Sequence, residues 1–340
     1  MAMSLRKEVT NSPTGSVEPD ADRPEVSVIM VSWHSAGLLA ESLKALKASA
    51  GDHSFEVVIH QNSNDEAFQV AREALAESSL ETTGTGRNLG FAGGVNRALE
   101  RAHGDLIMLL NPDCVLGPGS LATLVQYLET NPAVAAAAPL LIGPDGSPQR
   151  EFQLRRLPTF LSLAADLLLV SRLFPSNWIS SRSGYRNLQL DLPIAVEQPA
   201  AAALLIRHSV MNKVGSMDER FSPAWFEDVD YCRRIAAQGG VIHLVPAARA
   251  NHRGGVALEH LSFDEFVTVY YRNLFQYAWK WLPRGEVHLL RWFGVWGMIF
   301  RAGAALAGFS RARNRFMGAR AYLRVAGKVL LQWNDPSRFS

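Results

Sequence analysis

Cysteine is nearly absent from this chain of 340 residues: Cys114 and Cys232 are its only two. Two are too few for a disulfide scaffold, and they lack the spacing of a metal-binding pair, so a reducing compartment is expected. There is also no uninterrupted run of the ~20 apolar residues that a membrane span requires. The nearest approach, Val287 to Phe309, is cut by Arg291 and Arg301, with nine uncharged residues between them. The first 24 residues hold no apolar core of a secretory signal and are rich in Ser, Thr, Pro, Asp and Glu, which predicts a disordered tail. No large charge excess exists either. Lys plus Arg number 34 and Asp plus Glu 32, a net +2 that excludes a chain-wide basic nucleic-acid binder. Internal repeats and a Walker phosphate loop are missing. Gly84-x-Gly86 followed by Gly90 does not have the G-x-G-x-x-G spacing and follows no convincing strand, which argues against dinucleotide binding.

What is present is ordinary globular composition, 48% hydrophobic and 19% charged, in a length suited to two domains or one large domain with an appendage. The charge is segregated. Arg272 to Ser340 holds 12 Lys/Arg against 2 Asp/Glu, together with five of the eight tryptophans (Trp279, Trp281, Trp292, Trp296 and Trp333). Basic, Trp-rich helices suit an anionic membrane surface, which they lie on without spanning. A basic amphipathic helix packed on its own domain is the alternative.

Apolar β-branched runs at Val26–Val31, Phe55–Ile59 and Asp105–Leu110 predict buried strands. Ala133–Leu141, Ala200–Ile206 and Val241–Val245 predict three more. Helical spacing marks Leu38–Ala48, Glu66–Ser78, Gly93–Arg101 and Ser120–Glu129. The alternation implies βαβ units and a parallel sheet covered by helices on both faces. Ligands bind such sheets beyond the carboxyl ends of the strands, and three of those ends are polar: Ser32-Trp33-His34, His60-Gln61-Asn62-Ser63 and Asn111-Pro112-Asp113. The apolar segment Leu157 to Phe174 reads as a core helix, with the acceptor side or the membrane surface as alternatives.

Several residue sets can do chemistry. Asp113 at a strand end can hold Mg²⁺ or Mn²⁺ together with substrate phosphates, although Asn-Pro-Asp is also ordinary turn chemistry. Glu227, Asp228 and Asp230 open a helix directly after Trp225-Phe226, with Val229, Cys232 and Ala236 on its buried face. One or two acids would merely complement the helix terminus. Three in four positions suggest more, and Asp228 could be a general base. His252 follows Asp228 by 24 residues in a glycine-rich loop, Asn251-His252-Arg253-Gly254-Gly255.

Five segments in order carry a resemblance: Val26–Trp33, Asn88–Asn96, Leu110–Asp113, Phe226–Cys232 and His252-x-x-Gly255. Together they resemble the family 2 glycosyltransferases, inverting nucleotide-sugar-dependent enzymes of the GT-A type, and among them the bacterial rhamnosyltransferases. The resemblance covers about Val26 to Arg272. It implies a Rossmann-like, mostly parallel α/β sheet with flanking helices. A nucleotide-sugar half would span about residues 25–145 and an acceptor half about 146–271, followed by the amphipathic helical segment 272–340. Ser32, Trp33, His60, Asn62 and Ser63 would face the nucleotide. Arg87, Asn88, Gly90, Phe91, Gly93, Asn96 and Asn111 would lie beside nucleotide and sugar, with glycines admitting ligand close to backbone. Asp113 and His252 would hold the divalent metal, Asp228 would deprotonate the acceptor hydroxyl, and Glu227 would position hydroxyls. Two positions depart from the family pattern: His60-Gln61 stands where Asp-Asn is usual, and Asn-Pro-Asp where Asp-x-Asp is usual.

The implied donor is dTDP-L-rhamnose, with UDP-linked galactofuranose or hexose second. The implied acceptor is a cell-surface glycan or lipid-linked glycan, and the implied location is the cytoplasmic face of the cell membrane. A glycoside hydrolase is disfavoured because adjacent Glu227 and Asp228 cannot flank a bond at ~5–9.5 Å. A nucleotidyltransferase is disfavoured because Ser32–Ser35 is no phosphate loop. An inactive nucleotide-binding relative and a membrane adaptor remain as rivals.

Overall fold

The computed structural model describes residues 23–331, apart from 76–79, 85, 175–177, 180–183, 186–187, 256–259, 310–311 and 313. The tail expected at 1–24 therefore lies almost wholly outside the described residues, as does Trp333. The chain begins with β1 (Val26–Ser32), α1 (Ala36–Ala50), β2 (Phe55–Gln61), α2 (Ala67–Ala74), β3 (Leu80–Gly84) and α3 (Gly90–Leu99). It continues with β4 (Leu106–Leu110), β5 (Cys114–Leu116), α4 (Ser120–Thr130), β6 (Val134–Ile142), α5 (Arg150–Gln153), β7 (Leu154–Arg155), α6 (Phe160–Leu167) and α7 (Val170–Leu173). Then come β8 (Ile194–Val196), β9 (Gln198–Pro199), β10 (Ala203–Arg207), α8 (His208–Val214), α9 (Glu227–Ala237) and β11 (Val241–His252). Three helices close the described chain: α10 (Phe263–Trp281), α11 (Arg284–Leu306) and α12 (Arg315–Leu331).

Among the described residues nine strands form one sheet, in the order β3-β2-β1-β4-β10-β6-β11-β5, with β8 also pairing to β11. β3, β2, β1 and β4 run parallel, as do β6 and β11, while β10 is antiparallel between the two groups. The continuous apolar runs are buried on both faces, giving one core under α1, α2 and α4 and a second under α3, α8 and α9. The expected mostly parallel sheet is thus present, with three differences. Leu80–Gly84 is a strand, so Gly84 does follow one; only Leu80 in it is strongly apolar, which hid it from a reading based on apolar runs. β11 runs on past Val245 to His252 through a bulge before Arg249, where Pro246 interrupts the apolar pattern. In α9 the buried partners of Val229 and Cys232 are Tyr231 and Ile235, whereas Ala236 is exposed.

A third core lies beside the sheet. It joins α6, the Phe221–Phe226 loop and α9 to α10, α11 and α12 through Leu163, Leu167, Phe221, Phe226, Leu274, Phe275, Tyr277, Leu290 and Met298. A boundary at 271/272 falls inside α10, whose buried face is continuous across it at Val267, Tyr271, Leu274 and Ala278. Arg301 is buried rather than presented to the surface. Its guanidinium donates to the carbonyls of Asp166 and Leu167, at the carboxyl end of α6. Gly297 permits this approach, since a Cβ there would lie 2.0 Å from the Leu167 oxygen. Leu157–Phe174 accordingly supplies one helix that buries Leu163 and Leu167, yet Leu161, Leu173 and Phe174 stay exposed.

Candidate active site

The parallel strands deliver their carboxyl ends to one edge of the sheet, where a cleft of about 450 Å³ opens. That volume suits a small-molecule ligand. Trp33, Asn62, Asn88, Gly90, Phe91, Asn111, Asp113, Glu227, Asp228 and His252 line it. Ser32, His60, Ser63, Arg87, Gly93 and Asn96 do not. His60 is fully buried beneath α3, with Nδ1 2.8 Å from Thr83 Oγ1 and Nε2 without a partner. Burial holds its pKa down, which favours the neutral ring. Ser32 bonds Ser35, and the Ser63 hydroxyl accepts from the His34 amide at 2.9 Å. Asn96 brackets Met217, accepting from its N–H at 2.8 Å and donating to its carbonyl at 2.9 Å. Arg87 is exposed.

The glycines of α3 meet protein rather than open space. A Cβ on Gly90, at φ +76°, would sit 2.7 Å from the Pro223 carbonyl oxygen. One on Gly94 would lie 2.7 Å from Val31 Cγ1. Both serve close packing of α3 against its neighbours. Asn62 then fixes the loop before α3: its Oδ1 accepts from the Leu89 N–H at 2.9 Å, and its Nδ2 donates to the Gly90 carbonyl at 3.0 Å.

On one side of the cleft stand Asp113 and His252. The antiparallel register of β5 on β11 pairs His252 with Cys114, which brings His252 beside Asp113. Gln149 settles the imidazole tautomer. Its Nε2 donates to the His252 carbonyl at 2.9 Å, so its Oε1, 2.8 Å from Nδ1, must accept the ring proton. Nε2 is therefore a bare lone pair, 3.7 Å from Asp113 Oδ2 and too far for a hydrogen bond. Burial lowers the His252 pKa against the opposing pull of Asp113, which favours the neutral ring. A neutral imidazole with an oriented outer nitrogen, facing a carboxylate, is a donor pair that fits a divalent cation. A different trio, Glu25, His53 and Glu129, also brings its ligand atoms within 4.8 Å of one another. It lies at the amino-terminal ends of β1 and β2, away from the cleft, and Glu25 already pairs with His53 at 3.2 Å.

On the other side stand Glu227 and Asp228, at the start of α9. Two consecutive residues before them, Trp225 and Phe226, occupy left-handed backbone at φ +72° and +74°. Such strain in non-glycine residues marks functional sites when the surroundings enforce it. The enforcement comes from α10: Asn273 is fully buried, and its amide donates to the carbonyls of Ala224 at 2.8 Å and Trp225 at 3.1 Å. Further along, Asp230 accepts from Trp281 Nε1 at 2.8 Å and pairs with Lys280 at 2.7 Å and Arg234 at 3.0 Å. The Phe91 N–H donates to the Pro223 carbonyl at 2.8 Å, which ties the same loop to α3. Glu227 is 6% exposed and its Oε2 has no hydrogen-bond partner among the described residues. Burial, with Asp228 alongside, pushes its pKa well up. Asp228 accepts from the Val229 N–H at 2.8 Å and, at longer range, from Ala201 and Gln198. Burial raises its pKa while Arg155 opposes the rise. A carboxylate poised in this way can accept a hydroxyl proton.

Residues 27–189 match the family model described as glycosyl transferase family 2. The chain carries a family 2 glycosyltransferase domain. The N-acetylglucosaminyl-diphospho-decaprenol L-rhamnosyltransferase of Mycobacterium tuberculosis is 26% identical over 292 residues, covering 78% of this chain and 91% of that protein. Rhamnosyltransferase WbbL of Escherichia coli is 24% identical over 231 residues, covering 67% and 83%. Among solved structures, the mannosyltransferase PcManGT of Pyrobaculum calidifontis, in complex with GDP-Man and Mn²⁺, aligns with a TM-score of 0.52 at 18% identity. It covers 94% of this glycosyltransferase and 91% of its own chain. GalNAc-T7 with UDP, GalNAc and Mn²⁺ gives 0.52 at 16% identity, covering 85% and 59%. The fold is GT-A, and the two curated relatives named above are rhamnosyltransferases, the group that the five motifs resemble.

Several site residues escape a motif reading. Gln149, Phe152, Arg155 and Asp166 come from a stretch of weak periodicity. Their one visible signal is the Arg155-Arg156 doublet, two cations side by side. Asn273 announces itself only as a polar residue on the apolar stripe of α10, at i+2 from Tyr271 and i−4 from Tyr277.

Proposed function

We propose that this glycosyltransferase moves a sugar, L-rhamnose from dTDP-L-rhamnose, onto a hydroxyl of a lipid-linked cell-surface glycan, with inversion. The observation that carries the reading is the meeting of two pairs in one cleft: a cation-competent Asp113–His252 pair and a buried Glu227–Asp228 pair. Asp113 Oδ2 and His252 Nε2 would hold Mg²⁺ or Mn²⁺. When bound, the metal would neutralise charge developing on the departing nucleoside diphosphate. Asn62, Asn88 and Gly90 shape the nucleotide side, and Trp33 and Phe91 supply apolar walls. Asp228 takes the acceptor proton on the face opposite the leaving group, so a single displacement inverts the anomeric centre. Glu227 positions a sugar or acceptor hydroxyl through its buried carboxyl group. The named activity of the mycobacterial relative supports the rhamnosyl group and the lipid-linked acceptor; a UDP-sugar donor is the second reading.

No helix among the described residues is long and apolar enough to cross a membrane. α11 nevertheless exposes a second apolar stripe, Leu289, Trp292, Trp296, Ile299 and Phe300, opposite its buried face. With Arg291 beside it, 5.7 Å from the centre of the Trp292 ring, this stripe supports peripheral docking on an anionic leaflet, at the cytoplasmic face where such acceptors would be met. The test is transfer from dTDP-L-rhamnose to an N-acetylglucosaminyl diphospho-lipid. Asp228→Asn should cut turnover by ~10²-fold or more while donor affinity is kept, within the range general-base catalysis supplies. Retained turnover would remove Asp228 as the base.

A further inference from the structure

Arg155 and Arg156 are the only Lys or Arg side chains among the described residues lining the cleft. Both are exposed. Arg155 donates from Nε to the Phe152 carbonyl at 3.1 Å and lies 5.7 Å from the centre of the Phe152 ring. Among the described residues no carboxylate pairs with it. Yet it is near enough to Asp228 to stabilise that carboxylate's charge. Arg156 pairs with Glu197 at 3.0 Å in an exposed ion pair, a contact of ~0–1 kcal/mol that a phosphate can displace. Phe152 in turn stacks on His252 with centroids 4.9 Å apart. One ring therefore separates the Arg155 cation from the metal-competent side.

The chain leads outward from this pair through Leu157 and Pro158 into α6. That helix packs on α11, whose outer face carries the exposed Trp292 and Trp296. From Asp228 outward the surface thus runs proton acceptor, cation pair, apolar face. A lipid-linked sugar runs hydroxyl, phosphate, lipid. Guanidinium forks match phosphate oxygens bidentately, and in the reading above the donor's own diphosphate is met by the cation that Asp113 and His252 would hold. We propose that Arg155 and Arg156 bind the phosphate or diphosphate that joins the acceptor sugar to its lipid. The proposal rests on the lipid-linked acceptor reading above.

The test uses the full chain and farnesyl diphosphate as a soluble probe. Binding is titrated in EDTA, so that no cation can recruit the probe to the Asp113 side. Binding of dTDP with Mn²⁺ is titrated separately. We expect Arg155→Gln/Arg156→Gln to weaken farnesyl diphosphate at least tenfold and leave dTDP unchanged, which also shows that the variant is folded. Arg155→Lys/Arg156→Lys should restore part of the loss. Equal affinity of wild type and the Gln variant for farnesyl diphosphate would overturn the proposal. So would farnesol binding as tightly as farnesyl diphosphate. Loss of dTDP instead would assign the pair to the donor and overturn it too. Arg-dependent probe binding in a wild type that fails to bind any nucleotide with Mn²⁺ would support this site while removing the donor reading.

Discussion

Asn273→Ala tests how the catalytic helix is held. Asn273 belongs to α10, within the basic, Trp-rich part of the chain, yet its amide spans the carbonyls of Ala224 and Trp225. Each bond contributes about 1 kcal/mol net, and more where the abandoned carbonyl is shielded from water. Alanine regains about 0.5 kcal/mol of helix propensity. The balance predicts about 2 kcal/mol of lost stability in chemical denaturation. It also predicts faster amide exchange over Trp225–Val229 and a fall in kcat larger than the change in donor affinity, because Asp228 moves with the loop. A stability change under about 0.5 kcal/mol with unchanged kcat would refute the reasoning.

Glu227→Gln should raise stability at pH 8 and leave it unchanged at pH 4. Glu227 keeps its proton in the fold above its unfolded value, so the unfolded state loses the proton first as pH rises, and the native state is penalised there; the glutamine removes that penalty. Thermal midpoints at the two pH values check the sign, and a variant less stable at pH 8 would contradict it. Trp292→Ala/Trp296→Ala should reduce co-sedimentation with phosphatidylglycerol vesicles several-fold without lowering thermal stability, because both indoles are about half exposed, at 53% and 54%. Unchanged vesicle binding would count against the α11 face.

The sheet and the acidic helix start were legible because buried parallel strands write continuous apolar runs and the motifs keep fixed order. β3 was not, since an edge strand with one strongly apolar residue leaves no such run. The packing duty of the glycines leaves no local pattern: Gly90, which lines the cleft, and Gly94 are also small where Pro223 and Val31 approach. His60 reads as a ligand-edge residue from its place at a strand end, yet strand alternation turns it under α3. The basic C-terminal segment reads as an appendage by composition. Its contacts with Ala224, Trp225, Asp230 and Arg233 are long-range, and no local pattern encodes them.

The most direct measurement of the central claim is the thermal midpoint of wild type and Asp113→Ala with dTDP, with and without Mn²⁺. At a hundredfold excess over Kd, a ligand that binds only the native state adds about 2.7 kcal/mol. The account predicts a dTDP shift in wild type that grows with Mn²⁺ and a metal-independent remnant in Asp113→Ala. A Mn²⁺-enhanced shift of the same size in both proteins would contradict it.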